Sequence, residues 1–113
     1  MDIHELVEKS KVFALKIIFL HRYLVDSKSE QVLSRKLLES ATAIGLHLRE
    51  LTHDPPKADF RAALKAAEES SYWLELLLGS NYLQKDQFGA IYPECTEIVF
   101  ELMALAKSQK KTK

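Results

Sequence analysis

The sequence predicts an all-α protein, an antiparallel up-down-up-down four-helix bundle in a single domain over residues 1–113. Apolar residues recur at alternating steps of three and four residues in separate segments, the spacing of a helix with one buried face. Short polar or proline-containing breaks separate these segments. The whole chain contains only three Gly and three Pro. Such a composition favours a few long helices over an architecture with many turns.

The first predicted helix runs from about Asp2, which suits an N-cap, to about Val25. A polar break over residues 26–29 follows it, and Ser29 is expected to cap the next helix. The seam of this helix is formed by Ile3, Leu6, Ser10, Phe13, Ile17, Leu20 and Leu24, and its apolar stripe is widened by Val12, Ile18, Phe19 and Tyr23.

The second predicted helix spans about Glu30 to Thr52, and Pro55 and Pro56 follow its end. Gly45 lies in its middle, where glycine costs about 1 kcal/mol relative to alanine. We interpret Gly45 as a point of close approach by a neighbouring helix. The seam of this helix is formed by Leu33, Leu37, Ala41, Ile44, Leu48 and Leu51.

The third predicted helix begins at about Lys57 and ends at Gly79, its expected C-cap. Its second half is apolar on more than one side, so packing within one bundle does not account for all of its apolar surface. Small alanines in its first half allow close helix approach. Its seam is formed by Phe60, Leu64, Ala67, Ser71, Leu74 and Leu78.

The fourth predicted helix runs from about Lys85 to Ala106, and Pro93 is expected to kink it or to mark a delayed start. The basic tail over residues 107–113 is expected to fray. Eight residues are predicted to form the nearly fully buried core: Phe13, Ile17, Leu37, Ile44, Leu64, Leu74, Ile98 and Leu102.

The composition narrows the classes of function. The chain has 16 basic and 16 acidic residues, and no quarter of it has a marked excess of positive charge, so nucleic-acid binding is not favoured. The single cysteine, Cys95, excludes an intrachain disulfide, and the acidic N-terminus lacks a signal-peptide pattern. We therefore expect a cytoplasmic location. No apolar run is long enough to predict a membrane span.

Two constellations could carry chemistry. Glu50 and His53 have the Glu-x-x-His spacing of di-iron bundles, and His47 precedes them by one turn, but the second copy of the motif is missing. Cys95 lies on a core seam, where a thiol behaves as a small inert hydrophobe. A metal-dependent enzyme is therefore the least supported hypothesis, and we expect no cofactor, metal or catalytic residue.

The outer face of the third helix offers a candidate contact surface. Counting about 100° per residue places Glu69, Tyr72 and Leu76 opposite Leu74, with Trp73 on the flank. Tyrosine and tryptophan are enriched at interface hot spots. The pattern predicts an interface formed by Glu69, Tyr72, Trp73 and Leu76.

Residues 63–83, followed by Phe88, Ile91, Cys95 and Glu97, resemble the bacterial four-helix-bundle protein family that includes proteins encoded in intervening sequences of 23S rRNA genes. Supporting matches lie at Leu33–Leu38, Ala41–Glu50 and Lys57–Phe60. The resemblance covers nearly the whole chain, most strongly residues 30–106.

The sequence departs from the family pattern at three positions: Ala43 replaces a frequent Ser, His47 a usual Asn, and Ala66 a frequent Glu. Roles that depend on those polar side chains are not carried over. The resemblance implies a bundle without established enzyme activity that assembles as a homopentamer. One branch, the accessory variability protein of diversity-generating retroelements, binds a reverse transcriptase and nucleic acid through a basic surface. The neutral balance of this chain does not match that surface.

These observations predict a non-catalytic, self-associating interaction protein whose further protein partner, if it has one, the sequence does not identify. The alternative is an accessory protein of a nucleic-acid or ribonucleoprotein complex, for which Arg35, Lys36 and Arg49 with the lysine-rich tail are the candidate contacts. A steep salt dependence of binding would favour the alternative.

Overall fold

The computed structural model describes residues 1–53 and 60–111, and the side chains as far as Ser108. The described residues form four α-helices and no strand: α1 (Ile3–Lys28), α2 (Val32–Leu51), α3 (Phe60–Gly79) and α4 (Lys85–Lys111). Each helix packs against its neighbours in the order α1, α2, α3, α4 and back to α1. The predicted four-helix bundle is thus confirmed.

α1 begins where the sequence predicts, because the Asp2 side chain accepts a hydrogen bond of 2.9 Å from the backbone N–H of Glu5. The same bond lowers the pKa of the Asp2 carboxyl. The helix continues about one turn past its predicted end. It terminates at Ser29, which has a left-handed conformation with φ 54°, and the Glu30 N–H donates to the Leu24 carbonyl.

The cap of α2 comes from Glu30, so the prediction that Ser29 caps this helix is wrong. One Glu30 carboxylate oxygen accepts hydrogen bonds from the backbone N–H groups of Leu33 and Ser34. Ser29 has no such role because it closes α1 instead. Glu30 is buried, and its second carboxylate oxygen has no hydrogen-bond partner among the described residues.

The core contains seven of the eight side chains predicted for it, and the inclusion of Leu64 is wrong. In α3 the buried positions follow Phe60, Ala63, Ala66, Ala67, Ser70, Leu74 and Leu77, whereas the predicted seam residues Leu64, Ser71 and Leu78 are half-buried. The buried face of α3 is rotated relative to the predicted seam, because alanines and a serine on one flank of the helix pack closely against α2. Leu64 consequently lies on the opposite flank, beside an open surface groove.

Gly45 does not mark a close helix approach, so that interpretation is wrong. A Cβ atom built at Gly45 would meet no atom within 4 Å. Gly45 instead lines an open groove between α1 and α2, together with Ser10 and Ala14.

The α3–α4 connection is closed by Asn81 and not by Gly79. Asn81 has φ 68°, while no described glycine has positive φ, so the predicted glycine C-cap is wrong. Asparagine tolerates this conformation better than most residues. The backbone N–H of Leu83 donates to the Leu77 carbonyl, and the buried Leu83 side chain anchors the connector.

α4 begins at Lys85 and continues through Pro93, so a delayed start is wrong. It extends to Lys111, past the predicted end near Ala106, and fraying of the tail stays a prediction. Two ion pairs join α1 to α4. Lys9 pairs with Glu97 and Lys16 with Glu94, and the nitrogen–oxygen distance is 2.7 Å in each pair. The predicted start of α3 at Lys57 and both prolines that precede it lie outside the described residues.

Candidate interaction surfaces

The outer face of α3 carries the residues that the sequence predicts as an interface. Glu69 and Tyr72 are exposed, and Leu76 and Trp73 are half-buried. The rings of Tyr72 and Trp73 are in contact, with centroids 5.1 Å apart and planes inclined by 59°. Glu69 and Tyr72 line one surface groove, and Glu69 and Trp73 line another. We call Lys65, Glu68, Glu69, Tyr72 and Leu76 the α3 surface.

Trp73 belongs to the groove between α2 and α3 more than to the open outer face. Lys36 on α2 places its ammonium nitrogen 5.5 Å from the centroid of the Trp73 ring, within the range of a cation–π contact. The floor of the groove is formed by small residues, which include Ala43 and Ala66. His47, the position at which the sequence departs from the family pattern, also lines this groove.

The three basic residues of the nucleic-acid alternative do not form one cluster. Arg35 and Arg49 are exposed and separated by about 21 Å along α2 at 1.5 Å per residue. Lys36 lies over Trp73 at the α3 side of the helix. The structure therefore does not gather these residues into a single positive patch.

The Glu50–His53 pair lies at the end of α2, whereas Cys95 lies in the interior on α4. Glu50 is half-buried and His53 exposed at the end of α2, and no group of three potential metal ligands occurs in the described parts of the chain. Cys95 is buried, and its thiol donates to the Ala67 carbonyl at 3.4 Å. Burial, and secondarily the charge of Glu75, raises the pKa of this thiol to about 12. A thiol in that environment is a poor nucleophile.

An exposed apolar stripe on α1 was not predicted from the sequence. Phe19 is 63% exposed, Val12 and Leu15 are each 47% exposed, and Tyr23 is 37% exposed. The guanidinium carbon of Arg22 lies 5.7 Å from the centroid of the Phe19 ring. Single exposed apolar residues are ordinary, but large ones that follow one helical face make a patch. We call Glu8, Lys11, Val12, Leu15, Phe19 and Tyr23 the α1 surface.

A helical-wheel count could have found the α1 surface. At about 100° per residue, Leu15 and Phe19 lie more than a right angle away from the buried Phe13. Phe19 and Tyr23 were instead predicted to widen the apolar stripe that faces the core. Other exposed large apolar residues lie on α2 and α4, among them Leu46 and the pair Phe100 and Met103.

No described helix combines the length and the apolarity that crossing a bilayer requires. The fold defines a four-helix bundle with exposed apolar side chains on α1 and α3.

Comparisons with known proteins give the family. The family model of the 23S rRNA-intervening sequence protein matches residues 4–104, and the chain belongs to this family. It is also similar to the crystal structure, at 1.70 Å resolution, of a protein with unknown function from the S23 ribosomal protein family of Bacteroides thetaiotaomicron VPI-5482. The two chains are 34% identical with a TM-score of 0.86, over 95% of this chain and 99% of that one. Among curated proteins, none matches the sequence.

Proposed function

We propose that this protein is a non-catalytic, cytoplasmic helical bundle that associates with copies of itself. The observation that carries the proposal is the exposure of large apolar side chains on α1 and α3 outside a core that is already closed. Phe19 and Tyr72 are both more than half exposed, although leucine, isoleucine, phenylalanine and alanine side chains fill the interior.

Burying such side chains between copies would contribute about 25 cal/mol per Å² of apolar area removed from water. Part of that gain offsets the loss of translational and rotational freedom on association. Tyrosine at the α3 surface suits the centre of an interface, because it adds a large apolar area with few rotatable bonds. The resemblance to the family makes a homopentamer the assembly to look for first.

The chemistry of the exposed residues supports a non-catalytic role. Cys95, which the sequence already predicts to be inert, is held as a neutral thiol inside the bundle. His47 lines the groove between α2 and α3, and His53 is exposed after the end of α2.

A second candidate is an accessory role in a nucleic-acid complex. Its support is the outward position of Arg35 and Arg49 on α2. The wide spacing of these two arginines makes it the weaker candidate.

Multi-angle light scattering at tens of micromolar protein tests self-association. We expect a mass several times the 12.9 kDa of the chain. Leu76→Glu should lower the mass because it places a charge in the proposed contact. Phe100→Glu is the control, since Phe100 is an exposed apolar residue on α4, which belongs to neither surface.

Circular dichroism should first establish that both variants are folded, because Leu76 is half-buried. A wild-type chain that stays monomeric throughout this concentration range would contradict the proposed function. An oligomer that resists Leu76→Glu would show that another surface makes the contact.

A further inference from the structure

We propose that the α1 surface of one copy packs on the α3 surface of a second copy, with the two helices parallel. This inference rests on the self-association proposed above and adds the identity of the two surfaces that meet. Two different surfaces in contact make a head-to-tail interface.

The two surfaces lie on opposite corners of the bundle. α1 and α3 each pack against α2 and α4, and the described parts of α1 and α3 have no close contacts with each other. Their outer faces therefore point away from each other. One copy can consequently use both surfaces at the same time, which allows a chain of contacts to continue or to close into a ring.

Two of the four apolar residues of the α1 surface have the same spacing as the two apolar residues of the α3 surface. Leu15 and Phe19 are four residues apart on α1, and Tyr72 and Leu76 are four residues apart on α3. Residues four apart are neighbours on one side of a helix. If Leu15 lies opposite Tyr72, Phe19 therefore lies opposite Leu76 in a parallel pair of helices.

The same register pairs opposite charges. Glu8 lies three residues before Lys11 on α1, and Lys65 lies three residues before Glu68 on α3. With Leu15 opposite Tyr72, Glu8 lies opposite Lys65 and Lys11 opposite Glu68. All four charged side chains are exposed, and none forms an ion pair within the described residues. The contact is therefore complementary in charge as well as in apolar spacing.

A parallel arrangement follows from the bundle itself. α1 and α3 run in the same direction in an up-down-up-down bundle, so rotating a copy about an axis along the bundle keeps them parallel. A two-fold contact between two α1 surfaces about such an axis would instead set like charges opposite each other, Glu8 against Glu8 and Lys11 against Lys11. Such a contact would also leave Tyr72 exposed on both copies.

A mixing experiment tests the pairing of the two surfaces. Phe19→Glu disrupts the α1 surface and Tyr72→Glu disrupts the α3 surface, and both side chains are exposed, so the fold should persist. We expect each variant alone to be monomeric. An equal mixture should contain heterodimers, because one chain has an intact α3 surface and the other an intact α1 surface. Phe100→Glu is the matched control, an exposed phenylalanine on α4 that should leave assembly unchanged.

Charge exchange tests the register in a chain that retains both surfaces. Lys11→Glu and Glu68→Lys should each weaken association about tenfold, through loss of one ion pair and gain of a repulsion. The double variant should recover most of that loss, because the pair then forms with reversed signs.

The outcomes separate this inference from the proposal on which it rests. A monomeric wild type would contradict self-association itself. An assembled wild type would overturn only the surface pairing if Tyr72→Glu assembles as well as wild type, if the mixture stays monomeric, or if the double charge variant is no tighter than the single ones.

Discussion

The hydroxyl oxygens of Ser40 on α2 and Ser70 on α3 lie 2.8 Å apart in the buried interface between these helices. Each hydroxyl also contacts a backbone carbonyl of its own helix, Leu37 at 3.1 Å and Ala66 at 2.9 Å. The two hydroxyl groups have two protons for these three contacts. One serine therefore donates to its own carbonyl, and the other donates to the serine across the interface. This side-chain hydrogen bond between α2 and α3 is therefore also a test of their packing.

The Ser40–Ser70 pair should be energetically coupled. Ser40→Ala and Ser70→Ala should each lower the free energy of unfolding by about 1 kcal/mol, because each leaves a buried hydroxyl without its partner. The double variant should lose less than the sum, with a coupling of about 1 kcal/mol. Urea unfolding of the wild type, the two single variants and the double variant measures these free energies. Ser71→Ala is the control, because the hydrogen bond of Ser71 is exposed to solvent. Strictly additive losses would show that the interhelical bond contributes nothing.

Gly45→Ala should stabilise the protein. The added methyl meets no atom within 4 Å, and alanine in a helix interior is favoured over glycine by about 1 kcal/mol. We expect the midpoint of thermal unfolding to rise by about 4 °C. Ala41→Gly, at a buried position of the same helix, should lower it. A lower midpoint for Gly45→Ala would mean that something occupies the groove between α1 and α2 in solution.

Glu30 should contribute to stability as the cap of α2. Glu30→Ala should lower the free energy of unfolding by about 1 to 2 kcal/mol, because the N–H groups of Leu33 and Ser34 lose their acceptor. Glu30→Gln should cost less, since its amide oxygen can still accept and no charge is buried. Chemical denaturation compares the two variants. A Gln variant as unstable as the Ala variant would indicate that the carboxylate charge itself has a partner.

The Cys95 thiol should react only when the bundle opens. Its pKa is raised from 9.0 to about 12, so at pH 8 it is protonated as well as buried. A disulfide reagent should modify folded protein slowly and denatured protein at once. An exposed thiol from Thr96→Cys, in a chain with Cys95→Ala, is the control and should react quickly. Fast modification of native Cys95 would contradict the packing around it.

The same pKa shift predicts the direction of a pH effect. Below pH 9 the thiol is protonated in both the folded and the unfolded chain, so the cysteine does not change stability there. Between pH 9 and about 12 the unfolded chain loses this proton first. Stability should therefore fall as pH rises through that range, and Cys95→Ala should reduce the slope of the fall.

Binding to generic nucleic acid should be weak. Arg35 and Arg49 are far apart on α2, and Lys36 lies against Trp73, so no dense positive patch meets a phosphate backbone. Fluorescence anisotropy with a labelled RNA duplex near physiological salt should give a Kd weaker than about 1 μM. Tighter binding that is lost in Arg35→Gln with Arg49→Gln would favour the nucleic-acid role.

Much of the fold could be predicted from the sequence because helical periodicity is local. The repeats of apolar residues predict four helices, and the Asp2 cap is confirmed because capping involves a residue and its near neighbours. Caps that depend on how the chain turns were harder to predict. The cap of α2 was predicted at Ser29, and only the path from α1 to α2 decides that the Glu30 side chain reaches the free N–H groups instead.

The sequence alone determined the all-α class, the number of helices and most of the core. The tertiary structure decided how each helix is rotated about its axis, because that rotation depends on the volumes of side chains from distant segments. Small residues on one flank of α3 draw it towards α2, so Leu77 is buried and Leu64 is not. Rotation likewise leaves Phe19 outside the core, where an apolar pattern by itself does not distinguish a buried side chain from one available to a second molecule.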